Sequence, residues 1–299
     1  MKIVVLGAGA IGSFFGGMLS KNHDVTLIGR KDHVQEINRN GLQIQGKTRL
    51  KRKINAVTSV KESSNIPDLL LVTVKSFDTL KAIREAKSII QNETLVLSFQ
   101  NGLGNIELIN QVVPSNRIIA GITTHGIQYV KPGLIHHKGK GSTVIGSITE
   151  KNSEKVTAVT SALESSCIPT TISSDILEDI WKKAIVNASI NPVTTIFKCE
   201  NGYLAQNPIL TQLVQLICAE STHIAQKKDY SFTVEELNEL TLRVISQTKH
   251  NHSSMLQSVQ QGKKTEIDQI NGKFVEIGKK LGCSTHLNEL LIKMVKSWL

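Results

Sequence analysis

Short apolar runs separated by helix-like segments dominate the first half of the chain. Strands are predicted at "KIVVLGAG", "DVTLIG", "LLLVTVK" (69–75) and "TLVLSFQ" (94–100), and residues 11–21 have a helical pattern. Continuous apolar strands joined by helices are typical of a parallel sheet that is covered on both faces. We also expect residues 133–148 to form an antiparallel hairpin that closes this domain.

Helical periodicity replaces the strand pattern from about residue 174 onward. Strand signals are absent from this part of the sequence, and Pro169 precedes the change. Helices are predicted at 176–190, 208–227, 233–249, 251–261, 265–281 and in the final "HLNELLIKMVKSWL". The length of 299 residues also suggests two domains, which we place at 1–170 and 171–299.

A glycine-rich turn follows the first strand and opens the first helix. Gly7, Gly9 and Gly12 form the pattern G-x-G-x-x-G, in which the glycines allow a tight turn, a close pyrophosphate and close helix–strand packing. The fold class is therefore predicted as α/β, an N-terminal Rossmann-type parallel-sheet domain plus a C-terminal all-helical domain. The expected cofactor contacts in this loop are Gly7, Ala8, Gly9, Ala10, Ile11 and Gly12.

The ends of three further strands bear on the cofactor. After the second strand, "LIGRKDH" offers Arg30 and Lys31, which suit the 2′-phosphate of NADPH, although Asp32 is close enough to keep NADH as a minority interpretation. Lys75 and Asn101 follow two other strands and are expected at the same crevice. The alternatives are a surface lysine for Lys75 and a helix cap for Asn101.

Polar residues recur at every fourth position of one otherwise apolar helix. In "IWKKAIVNASINP" (180–192), Lys183, Asn187 and Asn191 fall within roughly an 80° arc that apolar side chains border. Buried without partners, such groups cost about 1–3 kcal/mol each, so a ligand could satisfy them. The alternative is that the lysines reach the surface and the amides bond within the protein.

Charge and composition narrow the classes of partner. The formal net charge of +10 and pI of about 9.4 favour anionic partners. The basic residues are scattered and only 4% of the chain is aromatic, so we expect small anionic ligands and no nucleic acid.

Cysteine and hydropathy patterns indicate the compartment. No CxxC pair occurs and no run of 18 apolar residues exists, which argues against a disulfide scaffold, a zinc site and a membrane span. The apolar opening is too short for a signal peptide, so we expect a reducing, cytoplasmic setting. His136–His137 and His250/His252 lack metal-ligand spacing, and a surface or loop role is expected for both pairs.

With these residues placed, the chain closely resembles the ketopantoate reductase family over essentially its whole length. The most specific segments are "WKKAIVNASINPVT", "CENG", "HSSMLQSV" and "TEIDQING". The resemblance implies a Rossmann domain and a helical domain with the substrate in the cleft between them. It also implies NADPH-dependent reduction of 2-dehydropantoate, a 2-oxo acid, to (R)-pantoate on the route to pantothenate and coenzyme A.

The family's functional residues match this sequence position by position. Lys183, rather than Lys182, matches the proton donor, and Glu266 matches an acidic residue implied in both catalysis and cofactor binding. For Glu266, the sequence alone equally supports an exposed helical acid beside Lys263 and Lys264. The substrate-binding positions match Asn101, Asn187, Asn191, Asn201, Asn251 and Ser254, and Lys75 and Asn101 also match cofactor positions.

Two rival functions remain open from the sequence. One is a related 2- or 3-hydroxy-acid dehydrogenase on the same two-domain plan. The other is a non-catalytic NADP-binding regulatory module, which would give no reason for Lys183, Ser254 and Glu266 to occur together. The apolar C-terminal helices could support a homodimer, but the sequence does not decide between monomer and dimer.

Overall fold

The computed structural model describes residues 1–63, 66–149 and 153–298. These residues form two compact units: 1–100 with 105–177, and 101–104 with 178–299. Within the described residues, no helix combines the length and the apolar character that crossing a membrane requires.

The first unit contains the strands and five α-helices. In chain order the strands are β1 (Lys2–Leu6), β2 (Asp24–Ile28), β3 (Leu42–Gly46), β4 (Leu50–Arg52), β5 (Asn55–Val57), β6 (Leu69–Val72), β7 (Leu95–Ser98), β8 (Ile118–Thr123), β9 (Gly126–Lys131), β10 (Leu134–Gly139), β11 (Thr143–Ser147) and β12 (Thr170–Ile172). The helices are α1 (Ala10–Leu19), α2 (Lys31–Asn40), α3 (Thr79–Glu85), α4 (Asn105–Asn110) and α5 (Ser153–Ser165). Short 3-10 turns occupy Val60–Glu62, Ser76–Asp78, Ala86–Ile89 and Ser115–Arg117.

The larger sheet is mostly parallel, as predicted. Its strand order is β12-β11-β8-β7-β6-β1-β2-β5, and only the β8–β11 pairing is antiparallel among the described strands. Alternate residues of β6 enter different apolar clusters: Leu69 and Leu71 join one, and Leu70 and Val72 join the other. Because successive side chains of a strand point to opposite faces, both faces of the sheet are buried.

The predicted hairpin at 133–148 is wrong. β10 belongs to a second sheet of order β4-β3-β10-β9, whereas β11 belongs to the larger sheet. The antiparallel partner of β10 is the preceding strand β9. The reason is the turn at Pro132 and Gly133, where Pro presets a negative φ and Gly133 adopts φ +73°, so the chain reverses there.

The second unit is helical, as predicted, and no strand occurs among its described residues. Its helices are α6 (Ile176–Phe197, whose first two residues belong to the first unit), α7 (Tyr203–Gln206), α8 (Pro208–Gln226), α9 (Val234–Gln247), α10 (Ser254–Gln260), α11 (Asn271–Lys280) and α12 (His286–Lys296). Asn207 caps α8 ahead of Pro208, and Thr233 with Glu236 forms a capping box on α9.

Three helix boundaries differ from the sequence prediction. α6 continues through Pro192 to Phe197, and α10 begins only at Ser254 because the Ser253 hydroxyl accepts a hydrogen bond from the Leu256 N–H at 3.2 Å. α11 begins at Asn271 rather than at residue 265. The last change matters for the site because Glu266 then precedes the helix.

Candidate active site

The three glycines of the first turn have three different environments. Gly7 has φ +106°, and a Cβ atom there would lie 2.6 Å from the Val74 nitrogen. A Cβ atom on Gly12 would collide with the Gly7 carbonyl oxygen, because helix and strand approach closely there. A Cβ atom on Gly9 would meet no atom within 4 Å, so the space beside Gly9 is open.

This loop fits the pyrophosphate of a dinucleotide. The N–H groups of Gly7 and Ala8 donate to the Ile28 carbonyl at 3.1 and 2.7 Å, which fixes the loop against the end of β2. Gly9 is the N-cap residue of α1 and offers no side-chain cap, and the first-turn N–H groups of a helix have no intrahelical acceptor. Together with the open space at Gly9, these N–H groups and the helix dipole suit an anion.

Cations follow β2, as the sequence indicated. Arg30 is exposed and is the N-cap residue that precedes α2, and its guanidinium carbon lies 6.0 Å from the ring centroid of Tyr129. Lys31 and Asp32 are also exposed, so charges of both signs are present at this strand end. Burial, with a smaller effect of the Arg30 charge, lowers the pKa of nearby His33 to about 4.

Hydrogen bonds join the strand ends of β1, β6 and β7. The Thr73 hydroxyl donates to the Gly7 carbonyl at 2.9 Å, and the Gln100 side chain donates to the Val74 carbonyl at 2.9 Å. Lys75 is exposed in the segment after β6. These contacts bring the segment of Lys75 to the glycine loop, at the point where the strand order reverses around β1.

Asn101 is half-buried and is not a helix cap. The following helix begins only at Asn105, which accepts a hydrogen bond from the Thr79 hydroxyl at 2.9 Å. Residues 101–104 belong to the helical unit, where the Leu103 N–H donates to the Gln269 carbonyl at 3.1 Å. Asn101 is therefore in the same unit as Lys183 and Glu266.

The two neighbouring lysines of α6 have different environments. Lys182 pairs with Glu178 one turn earlier at 2.5 Å. Lys183 is half-buried, and the protein packed around its ammonium lowers its pKa to about 8, while the charge of Glu266 opposes this shift. The structure therefore singles out Lys183 as an ammonium of raised acidity.

Glu266 is buried, so its interpretation as an exposed helical acid is wrong. Its side chain is only 7% exposed, and it lies in the non-helical segment before α11. Its carbonyl accepts hydrogen bonds from the N–H groups of Gln269 and Ile270, both at 3.0 Å, which fold this segment into a turn. A buried carboxylate close enough to raise the pKa of Lys183 forms a charged pair suited to acid–base chemistry.

The polar row continues along α6 beyond Lys183. Asn187 is half-buried, and Asn191 is 6% exposed. The row is therefore partly buried at Lys183 and Asn187 and fully buried at Asn191, and it does not lie on an exposed face.

The other predicted substrate residues lie around two loops of the helical unit. Asn201 is buried, donates from its amide to the Thr248 hydroxyl at 2.8 Å, and has a buried carbonyl oxygen with no partner among the described residues. The Asn201 N–H donates to the Asn251 carbonyl at 2.9 Å, which joins the two loops. Asn251 and Ser254 are exposed, and the buried hydroxyl at the helix start belongs to Ser253.

The sequence prediction for the location of His137 is wrong, and it does not include His125. His137 was expected at the surface or in a loop, but it is 2% exposed on β10 and accepts a hydrogen bond from Thr48 at 2.8 Å or donates one to it. His125 lies 3.2 Å from it, between ring nitrogens, and burial lowers the pKa of His125 to about 4. The alternation of β10 was the available signal, because it places His137 on the same face as the buried Ile135.

The Rossmann-type sheet, the glycine loop and the half-buried Lys183 define a dinucleotide-dependent oxidoreductase. Family models described as "Ketopantoate reductase PanE/ApbA" and its "C terminal" part match residues 3–150 and 175–298. A 2-dehydropantoate 2-reductase of Pyrococcus horikoshii is 40% identical, over 99% of this chain and 97% of that protein.

Solved structures agree with these matches. A D-mandelate dehydrogenase with NADH and anilino(oxo)acetate has a TM-score of 0.94 and 29% identity, covering 100% of this chain and 98% of that one. A PanE/ApbA family ketopantoate reductase from Ralstonia eutropha has a TM-score of 0.91 and 27% identity, with the same coverage. The chain belongs to the ketopantoate reductase family and is an oxidoreductase acting on a CH–OH group.

Proposed function

We propose that this chain reduces 2-dehydropantoate to (R)-pantoate with NADPH, on the route to pantothenate and coenzyme A. The observation that carries the proposal is the environment of Lys183, where burial lowers the pKa of the ammonium to about 8 and the charge of Glu266 opposes that shift. It is supported by the name 2-dehydropantoate 2-reductase of a relative that matches 99% of the chain.

Lys183 is the proton donor in this proposal. The bound nicotinamide supplies a hydride, and reduction of a ketone leaves an alkoxide, which a positioned cation stabilises and then protonates. With a pKa of about 8, Lys183 is still roughly nine-tenths protonated at pH 7, yet it gives up its proton more readily than an ordinary lysine. Glu266 keeps the ammonium charged until the alkoxide forms, because its own charge raises the lysine pKa.

The polar row of α6 and two further residues bind the substrate in this proposal. Asn187 and Asn191 follow Lys183 by one and two helical turns and receive the hydroxyl end of the substrate. Ser254 and Asn101 bind the carboxylate, since a hydroxyl and an amide both donate hydrogen bonds to it. The row is then satisfied by substrate when it is bound and by water when it is absent.

Asn201 and Asn251 complete the substrate set. The buried carbonyl oxygen of Asn201 has no partner among the described residues, which supports a bound hydroxyl donor at this position. The backbone carbonyl of Asn251 accepts a hydrogen bond from the Asn201 N–H, so the two loops are adjacent, and the side chain of Asn251 is exposed.

The first unit binds the dinucleotide in this proposal. The pyrophosphate rests on residues 7–12, with Lys75 as a further contact of this unit to the cofactor. Arg30 with Lys31 favours a 2′-phosphate and hence NADPH. NADH stays the minority candidate, because Asp32 is nearby and the D-mandelate dehydrogenase neighbour was solved with NADH.

The experiment is a loss of NADPH absorbance when 2-dehydropantoate is added, with Lys183→Ala compared with Lys182→Ala. The two lysines are adjacent on α6, so Lys182→Ala controls for loss of one positive charge from the helix. Lys183→Ala should lose several powers of ten in turnover, and Lys182→Ala should keep turnover near that of the unmodified protein. Near-normal turnover in Lys183→Ala would remove the proton-donor assignment.

A related 2-hydroxy-acid dehydrogenase is the second candidate. The D-mandelate dehydrogenase neighbour, with a TM-score of 0.94, favours it, because an aromatic 2-oxo acid would need the same hydride and proton transfers. A panel of 2-oxo acids with either cofactor separates the two functions. Selectivity for the branched, hydroxyl-bearing 2-dehydropantoate supports our proposal, and a higher kcat/KM for phenylglyoxylate supports the alternative.

The helical unit also has an apolar face suited to self-association. Leu290, Met294 and Trp298 recur at every fourth residue of the C-terminal segment and are 54%, 38% and 47% exposed. A homodimer through this face would bury them. Light scattering with Leu290→Lys tests it: an unmodified protein that is already monomeric at micromolar concentration would contradict the dimer.

A further inference from the structure

Pro192 leaves one carbonyl of α6 without its usual helical partner. Proline has no N–H, so the carbonyl four residues earlier, that of Ala188, cannot receive an i→i−4 hydrogen bond. The side-chain amide of Asn271 donates to this carbonyl at 3.0 Å. Asn271 is fully buried, so water cannot easily replace it as the donor.

The orientation of the Asn271 amide is set by a chain of hydrogen bonds. The Glu220 carboxylate, which only accepts, receives the Asn288 N–H at 3.0 Å and the Asn288 side-chain amide at 2.8 Å. The oxygen of Asn288 is thereby left to face Asn271, whose amide nitrogen donates to it at 2.9 Å. Both donors of Asn271 are therefore directed at fixed acceptors, Ala188 and Asn288.

This hydrogen bond joins the two segments that carry the proposed acid–base pair. Ala188 directly follows Asn187 on the helix of Lys183. Asn271 lies five residues after Glu266 at the start of α11, and the turn between them is closed by the bond from the Ile270 N–H to the Glu266 carbonyl. The Ala188–Asn271 bond is thus a direct link between the lysine helix and the glutamate segment.

We propose that Asn271 is a positioning residue for the reaction, which sets the distance between Lys183 and Glu266 by bonding the carbonyl that Pro192 leaves open. The proposal rests on the proposed function of Lys183 as proton donor. Without the bond, the buried carbonyl must find another donor, and α6 shifts against the start of α11. A misplacement of about 1 Å at a reacting group can lower turnover roughly a hundredfold.

The first test compares Asn271→Ser and Asn271→Asp with Thr241→Ala. Asp has nearly the shape of Asn but turns a carboxylate oxygen toward two acceptors. Thr241 is a buried residue of α9 that bonds its own helix, so it controls for a general loss of stability. We expect both Asn271 variants to lose roughly tenfold to a hundredfold in kcat, with KM for NADPH unchanged, while Thr241→Ala keeps its kcat. Equal kcat in folded Asn271→Ser and Thr241→Ala would overturn the proposal.

A second test removes the need for Asn271. Pro192→Ala supplies an N–H to the Ala188 carbonyl, so Asn271→Ser should cost at least about threefold less in kcat in that background, as a double-mutant cycle measures. The same loss of kcat with and without Pro192→Ala would show that Asn271 does not act through the Ala188 carbonyl.

A third measurement needs no substrate, so it distinguishes failure of this proposal from failure of the proposed function. The lysine side-chain NMR signal that disappears in Lys183→Arg is titrated in the unmodified protein and in Asn271→Ser. Because the charge of Glu266 raises the pKa of Lys183, greater separation should lower that pKa. An unchanged titration in Asn271→Ser would overturn the positioning role, even if 2-dehydropantoate were not the substrate.

Discussion

Replacing Lys183 by methionine should abolish activity and at the same time stabilise the fold. In the folded protein, burial lowers the pKa of this ammonium from 10.5 to about 8, even with Glu266 opposing the shift. The difference corresponds to about 3 kcal/mol of penalty on the charged form in the folded state. Methionine has a similar length and no charge, so Lys183→Met removes this penalty.

The pH dependence of the gain follows from the direction of the shift. Between about pH 8 and 10.5 the unfolded chain binds more protons at Lys183 than the folded chain does, so the penalty shrinks as pH rises. Lys183→Met should therefore exceed the unmodified protein in free energy of unfolding by about 3 kcal/mol at pH 7, and by roughly half as much at pH 9.5, apart from a constant packing difference.

The assay is urea unfolding of both proteins at several pH values, with the slope m checked for constancy. Taking the difference between the two free energies of unfolding at each pH removes the contribution of every other group that titrates alike in the two proteins. Lys182→Met is the matched control, since Lys182 is paired with Glu178 near the surface and no such gain is expected there. A free-energy difference for Lys183→Met that stays constant from pH 7 to pH 9.5 would refute the reasoning.

Four further predictions follow from the site and the sheet. Arg30→Asp should lower kcat/KM for NADPH more than for NADH, and an unchanged ratio would remove Arg30 from 2′-phosphate binding. Ser254→Ala should mainly raise KM for the oxo acid; a loss confined to kcat would place its hydroxyl nearer the chemistry. Gly9→Ala should raise KM for NADPH and change the free energy of unfolding by less than about 0.5 kcal/mol, whereas Gly12→Ala should lower that free energy by about 1–3 kcal/mol. Equal destabilisation by the two variants would contradict the open space beside Gly9. Burial lowers the pKa of His33 to about 4, so the unfolded chain binds more protons than the folded chain between about pH 4 and 6.5, and the free energy of unfolding should fall as pH decreases through that window. His33→Gln should flatten this dependence in urea titrations, and an unaltered slope would show that another group causes it.

Features that depend on neighbouring residues were accessible from the sequence. The glycine loop is one, because Gly7, Gly9 and Gly12 act on a single turn between a strand and the helix it opens. Strands β1, β2, β6 and β7 of the large sheet are another, because burial on both faces produces continuous apolar runs. The register of Lys183, Asn187 and Asn191 also follows from helix geometry alone.

Features that depend on distant residues were not accessible. The false hairpin at 133–148 arose because the partner of β10 is decided by the Pro132–Gly133 turn and by pairing with the remote β3. The burial of Glu266 depends on a helix that starts six residues later than its periodicity suggests. The hydrogen bond from Asn271 to Ala188 spans 83 positions of sequence, and no local pattern indicates such a bond.

The assignment of residues 101–104 to the helical unit has a consequence for dissecting the protein. Leu103 is 5% exposed and packs in the same apolar cluster as Trp181 and Phe274, so one core residue of that unit is encoded far upstream of the rest. A polypeptide that begins at residue 178 would lack this side chain and retain a void in its interior. Independent folding of the C-terminal half would then require a tethered copy of the upstream tetrapeptide, or a permuted gene that restores it.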